Sequence, residues 1–254
     1  MSGRSILKLR PISPDRISDC VLKVGAFFTI QMAEPITATF HWTEGEEEKT
    51  IEKTYAIKDY FLTYDANKSQ FNEKTQKLIE ATADYGHYTQ TFLAAANGWT
   101  LGEDYAVMDK FYATAYNYSD TEAGLEGYTI ECNKGDDIRK IGAATVLDSE
   151  TAIRITLTLV SGYTGTITAT ADGGKEATVT SSGSRYIVKI PNIAAHELTT
   201  TYTVTITTAN STAMVTLSAL SYVKLLFTGN TAASARDAAS AILAYATAAN
   251  SYLA

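Results

Sequence analysis

The chain carries an internal repeat, two segments whose key positions match. At a constant offset of 160 residues, Ala81, Tyr85, Leu93 and Ala94 meet the identical residues Ala241, Tyr245, Leu253 and Ala254. At the same offset Phe92 meets Tyr252, Gln90 meets Asn250, and the small Gly86 meets the small Ala246. The correspondence extends upstream: Asp59, Tyr60 and Phe61 align with Ser221, Tyr222 and Val223 at offset 162, and residues 36–40 with 202–206 at offset 166. Loops that differ by a few residues explain the drift. A repeat of this length constrains the fold more than any short motif, because both copies must solve the same packing problem. Each copy reads as strand, turn, strand, short helix, loop, long helix.

In the two long helices, Leu78, Thr82, Tyr85, Thr89 and Phe92, and likewise Ala238, Ile242, Tyr245, Ala249 and Tyr252, recur at steps of three and four, which places them on one buried face. Small residues there (Gly86, Ala246, Ala249) let a second backbone approach, so each helix is expected to pack on a sheet or on its repeat mate. The first is predicted to start at Ser69 or Asn72, with Glu73 in its first turn, and to stop at Asn97 and Gly98, where glycine takes the left-handed closing conformation. The second is predicted to start at Asn230 or Thr231. Between the copies, a short helix is expected near residues 103–112, then an acidic loop through Glu126 and four strands. Residues 153–159 alternate with period two, residues 165–170 follow a glycine turn, and Asp172-Gly173-Gly174 is expected to close a hairpin into residues 176–180. Tyr186, Val188 and Ile190 then face one side, as do Tyr202, Val204 and Ile206.

The expected fold class is α+β: antiparallel β-sheets, sandwich-like, with helical hairpins and an internal two-fold repeat. The 254 residues divide most readily in the acidic stretch 119–142, giving an N-terminal strand-plus-helix unit, 1–120, and a C-terminal β-rich unit, 121–254, with the last helix able to pack on either.

Charge and composition narrow the function. The formal net charge is -7, and it is uneven: residues 1–150 hold 15 basic and 24 acidic side chains (15 − 24 = −9), residues 151–254 hold 6 and 4 (6 − 4 = +2). With no basic stripe, nucleic acid is not expected as a partner. No apolar run approaches the ~20 residues of a membrane helix, so no membrane insertion is expected. Cys20 and Cys132 are too few for a zinc knuckle or a CxxC motif, and leave one long-range disulfide open. No secretory signal follows Met1; the chain is either cytosolic or an excised module whose signal and anchor lie outside it, and the second reading is preferred. His41, His87 and His196 form no metal-gathering spacing, and no nucleophile elbow or phosphate loop occurs. Glu44, Glu46, Glu47 and Glu48 read as a solvated hairpin tip. No catalytic residue, metal or cofactor is therefore expected.

Aromatics are the better lead. Sixteen Tyr and two Trp exceed the needs of a core this size. Trp99, Phe111, Tyr112, Tyr116 and Tyr118 are the candidate ligand-binding residues, as a platform for a sugar ring or a protein partner; the competing reading packs Phe111 and Tyr112 against the helices.

Residues 83–93 (ADYGHYTQTFL), followed by Asn97-Gly98-Trp99 and Asp104-Tyr105, resemble a recurrent helix and loop in large secreted or wall-anchored surface proteins of gut Firmicutes. Residues 217–223 (LSALSYV) and 244–252 (AYATAANSY) are similar to the ending those proteins carry after a strand-rich segment. The resemblance covers about residues 21–110 and 150–254. It implies an extracellular, cell-wall or secreted module without assigned catalytic residues, serving adhesion, protein binding or spacing. Its partner would be a host or bacterial surface protein, or a glycan, and the module a monomer. A carbohydrate-binding module using exposed Tyr and Trp is the alternative.

Overall fold

A computed structural model describes residue 32 and residues 35–101, 115–147, 150–183, 185–228 and 231–254. The expected helix near 103–112, the candidates Phe111 and Tyr112, and Cys20 lie outside the described residues. Cys132 is an exposed free thiol.

The first element among the described residues is a hairpin, β1 (Ile36–Glu44) and β2 (Glu47–Tyr55), whose turn carries Gly45 at φ 66° beside the expected glutamates. Two helices follow, α1 (Ile57–Asn67) and α2 (Glu73–Asn97). The ends of α2 fall where the sequence places them. Asn72 caps it, its side chain accepting from the Thr75 N–H, and Gly98 ends it at φ 67°. A short helix, α3 (Tyr118–Gly124), capped by the Asn117 side chain, occupies part of the expected acidic loop. The loop prediction fails there because an Asn cap and a small-residue turn carry no apolar periodicity over so short a span.

Eight strands come next: β3 (Glu131–Asn133), β4 (Ile138–Leu147), β5 (Thr151–Leu159), β6 (Thr168–Ala171), β7 (Thr178–Ser182), β8 (Arg185–Ile190), β9 (Tyr202–Thr207) and β10 (Thr212–Leu217). The chain ends in α4 (Ala219–Leu225) and α5 (Ala233–Leu253). This is a mixed fold of antiparallel sheets and helices. Beside the β1–β2 hairpin stand two four-stranded sheets, ordered β3-β10-β9-β6 and β4-β5-β8-β7. Period-two burial turns Ile153, Ile155, Leu157, Val188 and Ile190 of one sheet, and Tyr202, Val204, Ile206, Val215 and Leu217 of the other, into a single apolar cluster. A second cluster, Met32, Phe61, Tyr64, Ile79 and Ala83, lies under α1 and α2.

One turn prediction is overturned. Asp172-Gly173-Gly174 does not close a hairpin: β6 pairs with β9 and β7 with β8, so the segment carries the chain from one sheet to the other. Both glycines have positive φ, 67° and 72°, which suits a crossover as well as a hairpin. The Asp172 carboxylate accepts from the Thr203 N–H at 2.8 Å and fixes the exit.

The buried stripe of α2 also differs from expectation. Ile79, Ala83, Gly86, Gln90 and Ala94 are buried along with Tyr85 and Thr89, while Leu78, Thr82 and Phe92 are only half-buried. On α5, Ala235, Ala238, Ala239, Ile242, Ala246 and Ala249 are buried, and Tyr252 is exposed. Small side chains allow the two helix backbones to come close. The helices run antiparallel, since Tyr85 meets Tyr245 while Leu93 and Asn97 share a groove with Ala235 and Ala238. No helix among the described residues is long and apolar enough to cross a membrane.

Candidate functional site

Two of the candidate aromatics, Tyr116 and Tyr118, pack against the α2–α5 pair. At its centre the rings of Tyr85 and Tyr245 stack at 5.0 Å between centroids and 13° between planes. To one side, the loop entering α3 lays Tyr116 against Tyr88, with centroids 5.3 Å apart, and the Tyr116 hydroxyl donates to the Asp84 carboxylate at 3.3 Å. One turn further on, Tyr118 donates to Asp237 of α5 at 2.6 Å, lies under the Arg236 guanidinium at 4.6 Å and meets the edge of Phe227. Thr121 and Ser240 close the contact between α3 and α5 with a buried hydroxyl pair at 2.9 Å. Tyr116 and Tyr118 therefore have intramolecular partners for both ring and hydroxyl, and they strap the α3 region onto both long helices.

This cluster has an electrostatic cost. Burial lifts the Asp84 carboxyl to about 6, against the opposing hydrogen bond from Tyr116 and with help from the nearby Glu80 charge. The other oxygen of Asp84 is buried with no hydrogen-bond partner among the described residues. The same burial, together with Asp84, raises the Tyr116 hydroxyl, and burial with the Asp237 hydrogen bond pushes Tyr118 up to about 12. Because Asp84 binds its proton more tightly folded than unfolded, its contribution to stability is fully present below pH 3.8 and is lost as pH rises through about 6. Asp84→Asn is expected to raise stability at pH 7.5 by about 1 kcal/mol, discounted for partial solvent exposure, and to flatten the profile between pH 4 and 6.5. Urea midpoints at pH 5 and pH 7.5 measure this; a wild type that gains stability over that interval as pH rises contradicts it.

Trp99 stands apart from these tyrosines. It is 54 % exposed and lines a groove of about 410 Å³ between the C-terminal end of α2, strand β4, and helices α4 and α5. The floor is apolar, formed by Val146, Val223, Ala239 and Ile242 among others. Its polar lining includes Thr145, whose hydroxyl donates to the Ala219 carbonyl at 2.7 Å, and Asn97, which donates to the Leu93 carbonyl at 2.8 Å. Arg154, on the outward face of β5, completes the rim. The sequence reading did not single out Arg154, Ala144 or Leu226, because an outward residue of an alternating strand and two residues from separate segments carry no common signal.

Other polar side chains are tied to the scaffold. Asp137 accepts from the Thr208 hydroxyl and from the backbone and side-chain N–H groups of Asn210, which hold its carboxyl below the usual range. Glu197 pairs with Lys175 at 2.6 Å and accepts from the Ala194 N–H. Tyr64, on the buried face of α1, donates to Glu80 at 2.8 Å. Among the described residues no group of three His, Cys, Asp or Glu side chains is placed to hold a metal. In comparisons with known proteins, no family model, curated relative or solved structure matches the chain.

Proposed function

We propose that this chain is a non-catalytic module of a bacterial cell-surface or secreted protein, acting in adhesion, in protein binding or as a spacer, and built from two copies of one hairpin-helix-helix unit. In this reading the two four-stranded sheets form a sandwich around the shared apolar cluster. The observation that carries the reading is that equivalent positions make equivalent contacts. The Lys58 N–H donates to the Met32 carbonyl at 2.9 Å, and 162 to 166 residues later the Leu220 N–H donates to the Leu198 carbonyl at 3.3 Å. The Ala56 N–H is capped by the Asp59 side chain, and the Ser218 N–H by that of Ser221. The paired tyrosines Tyr85 and Tyr245 meet ring to ring where the copies join. A duplicated scaffold that commits Asp84, Asp237, Tyr116 and Tyr118 to internal contacts suits a rigid surface module better than a catalyst.

Carbohydrate binding is the second reading, favoured by the exposed ring of Trp99. Beads carrying the chain are expected to adhere to films of host or bacterial surface protein, with no turnover on peptide, ester or glycoside panels. Turnover of any of these substrates rejects the proposal. Glycan-array binding lost on Trp99→Ala moves the reading to carbohydrate.

A further inference from the structure

We propose that the groove beside β4 binds an amphipathic carboxylate, with an acyl chain along the apolar floor and its anionic head on Arg154. This goes beyond adhesion or spacing and does not depend on either. The groove's volume, about 410 Å³, lies in the range of small-ligand sites and is too small for the face of a folded partner.

The lining decides the chemistry. Phe92, Leu93, Val146, Leu147 and Leu226, half-buried in the lining, present hydrocarbon, and desolvating them favours an apolar body. A sugar would bring several hydroxyls against this floor, and the Thr145 and Asn97 side chains already donate elsewhere, to the Ala219 and Leu93 carbonyls. An uncharged hydrocarbon would leave the rim cation unused. Arg154 is exposed, and its guanidinium makes no ion pair or hydrogen bond with the described residues. Its cross-strand neighbour Lys189 is by contrast paired with Glu150 at 2.5 Å. Among the described lining residues Arg154 is therefore the cation available to an incoming anion, and its planar fork matches a carboxylate bidentately. Trp99, open to solvent at the rim, can close over the chain where it leaves the groove.

Decanoate and 1-decanol, titrated into the whole chain by calorimetry below their aggregation concentrations, separate the two contributions. Decanoate is expected to bind more tightly than decanol. Arg154→Gln is expected to weaken decanoate about tenfold, the lower end for a charge-assisted hydrogen bond near solvent, and to leave decanol unchanged. Ala144→Phe, a strand-compatible substitution that fills the groove from β4, is expected to abolish both. If that variant fails to fold by circular dichroism, Trp99→Ala takes its place and is expected to weaken both ligands. The proposal is overturned if the folded wild type binds neither ligand, if decanol binds as tightly as decanoate, if Arg154→Gln has no effect on decanoate, or if the groove substitution leaves binding intact.

Discussion

Tyr85→Ala is expected to lower the unfolding free energy by about 3 to 4 kcal/mol, the cost of removing a buried aromatic ring from a packed interface. Tyr85 is 5 % exposed and belongs to the same apolar cluster as both four-stranded sheets, although it lies on a helix near the other end of the sequence. Its loss leaves a void between α2 and α5 and removes the stacking partner of Tyr245. Small residues line the facing helices at this point, and Ala83, Gly86 and Ala246 cannot swing side chains into the gap. For a chain of this length the loss corresponds to a drop in melting temperature of roughly 6 to 12 °C, read by calorimetry. A drop of about 2 °C or less would mean that the interface is already open in solution.

Ile155→Ala is expected to be equally damaging, at about 3 to 4 kcal/mol. Ile155 is fully buried in the middle of β5, in register with Ala143 on one side and Val188 on the other. It points into the cluster that also holds Val204, Ile206 and Val215 of the opposite sheet. Neither sheet can collapse into the cavity without breaking its own ladder, so the void persists. Ile155→Val, which removes one methylene, should cost about 1 kcal/mol. Chemical denaturation of both variants measures the pair. Equal, small costs would place Ile155 at a surface and separate the two sheets.

Much of this fold was legible in the sequence, for identifiable reasons. The ends of α2 were readable because Asn72 and Gly98 act locally, the one through its side chain and the other through its backbone freedom. The inward faces of β8 and β9 followed from alternation alone. What escaped depended on distant partners. Two glycines after Asp172 fit a hairpin and a crossover alike, and only the pairing of β6 with β9 decides between them. Spacing by three and four puts Leu78, Thr82 and Phe92 on the helical face with Tyr85; the packing instead selects the small residues that allow the helices to approach.

The candidate site was less legible. The surplus of tyrosines and their clustering over residues 111–118 make Tyr116 and Tyr118 candidates for an exposed platform. Their partners are Asp84, 32 residues back, and Asp237, 119 residues ahead. Trp99 is exposed, but the groove it borders draws on α2, β4, β5, α4 and α5, which share no periodic signal.

The proposed joining of two repeat copies through Tyr85 and Tyr245 is tested most directly by a double-mutant cycle in urea with Tyr85→Ala, Tyr245→Ala and the pair. A stacked contact of this geometry predicts a coupling of about 0.5 to 1.5 kcal/mol, with the double variant less destabilised than the sum of the singles. Costs that add to within about 0.3 kcal/mol would show that the rings do not meet in solution and would contradict the proposed joining of the copies at this contact.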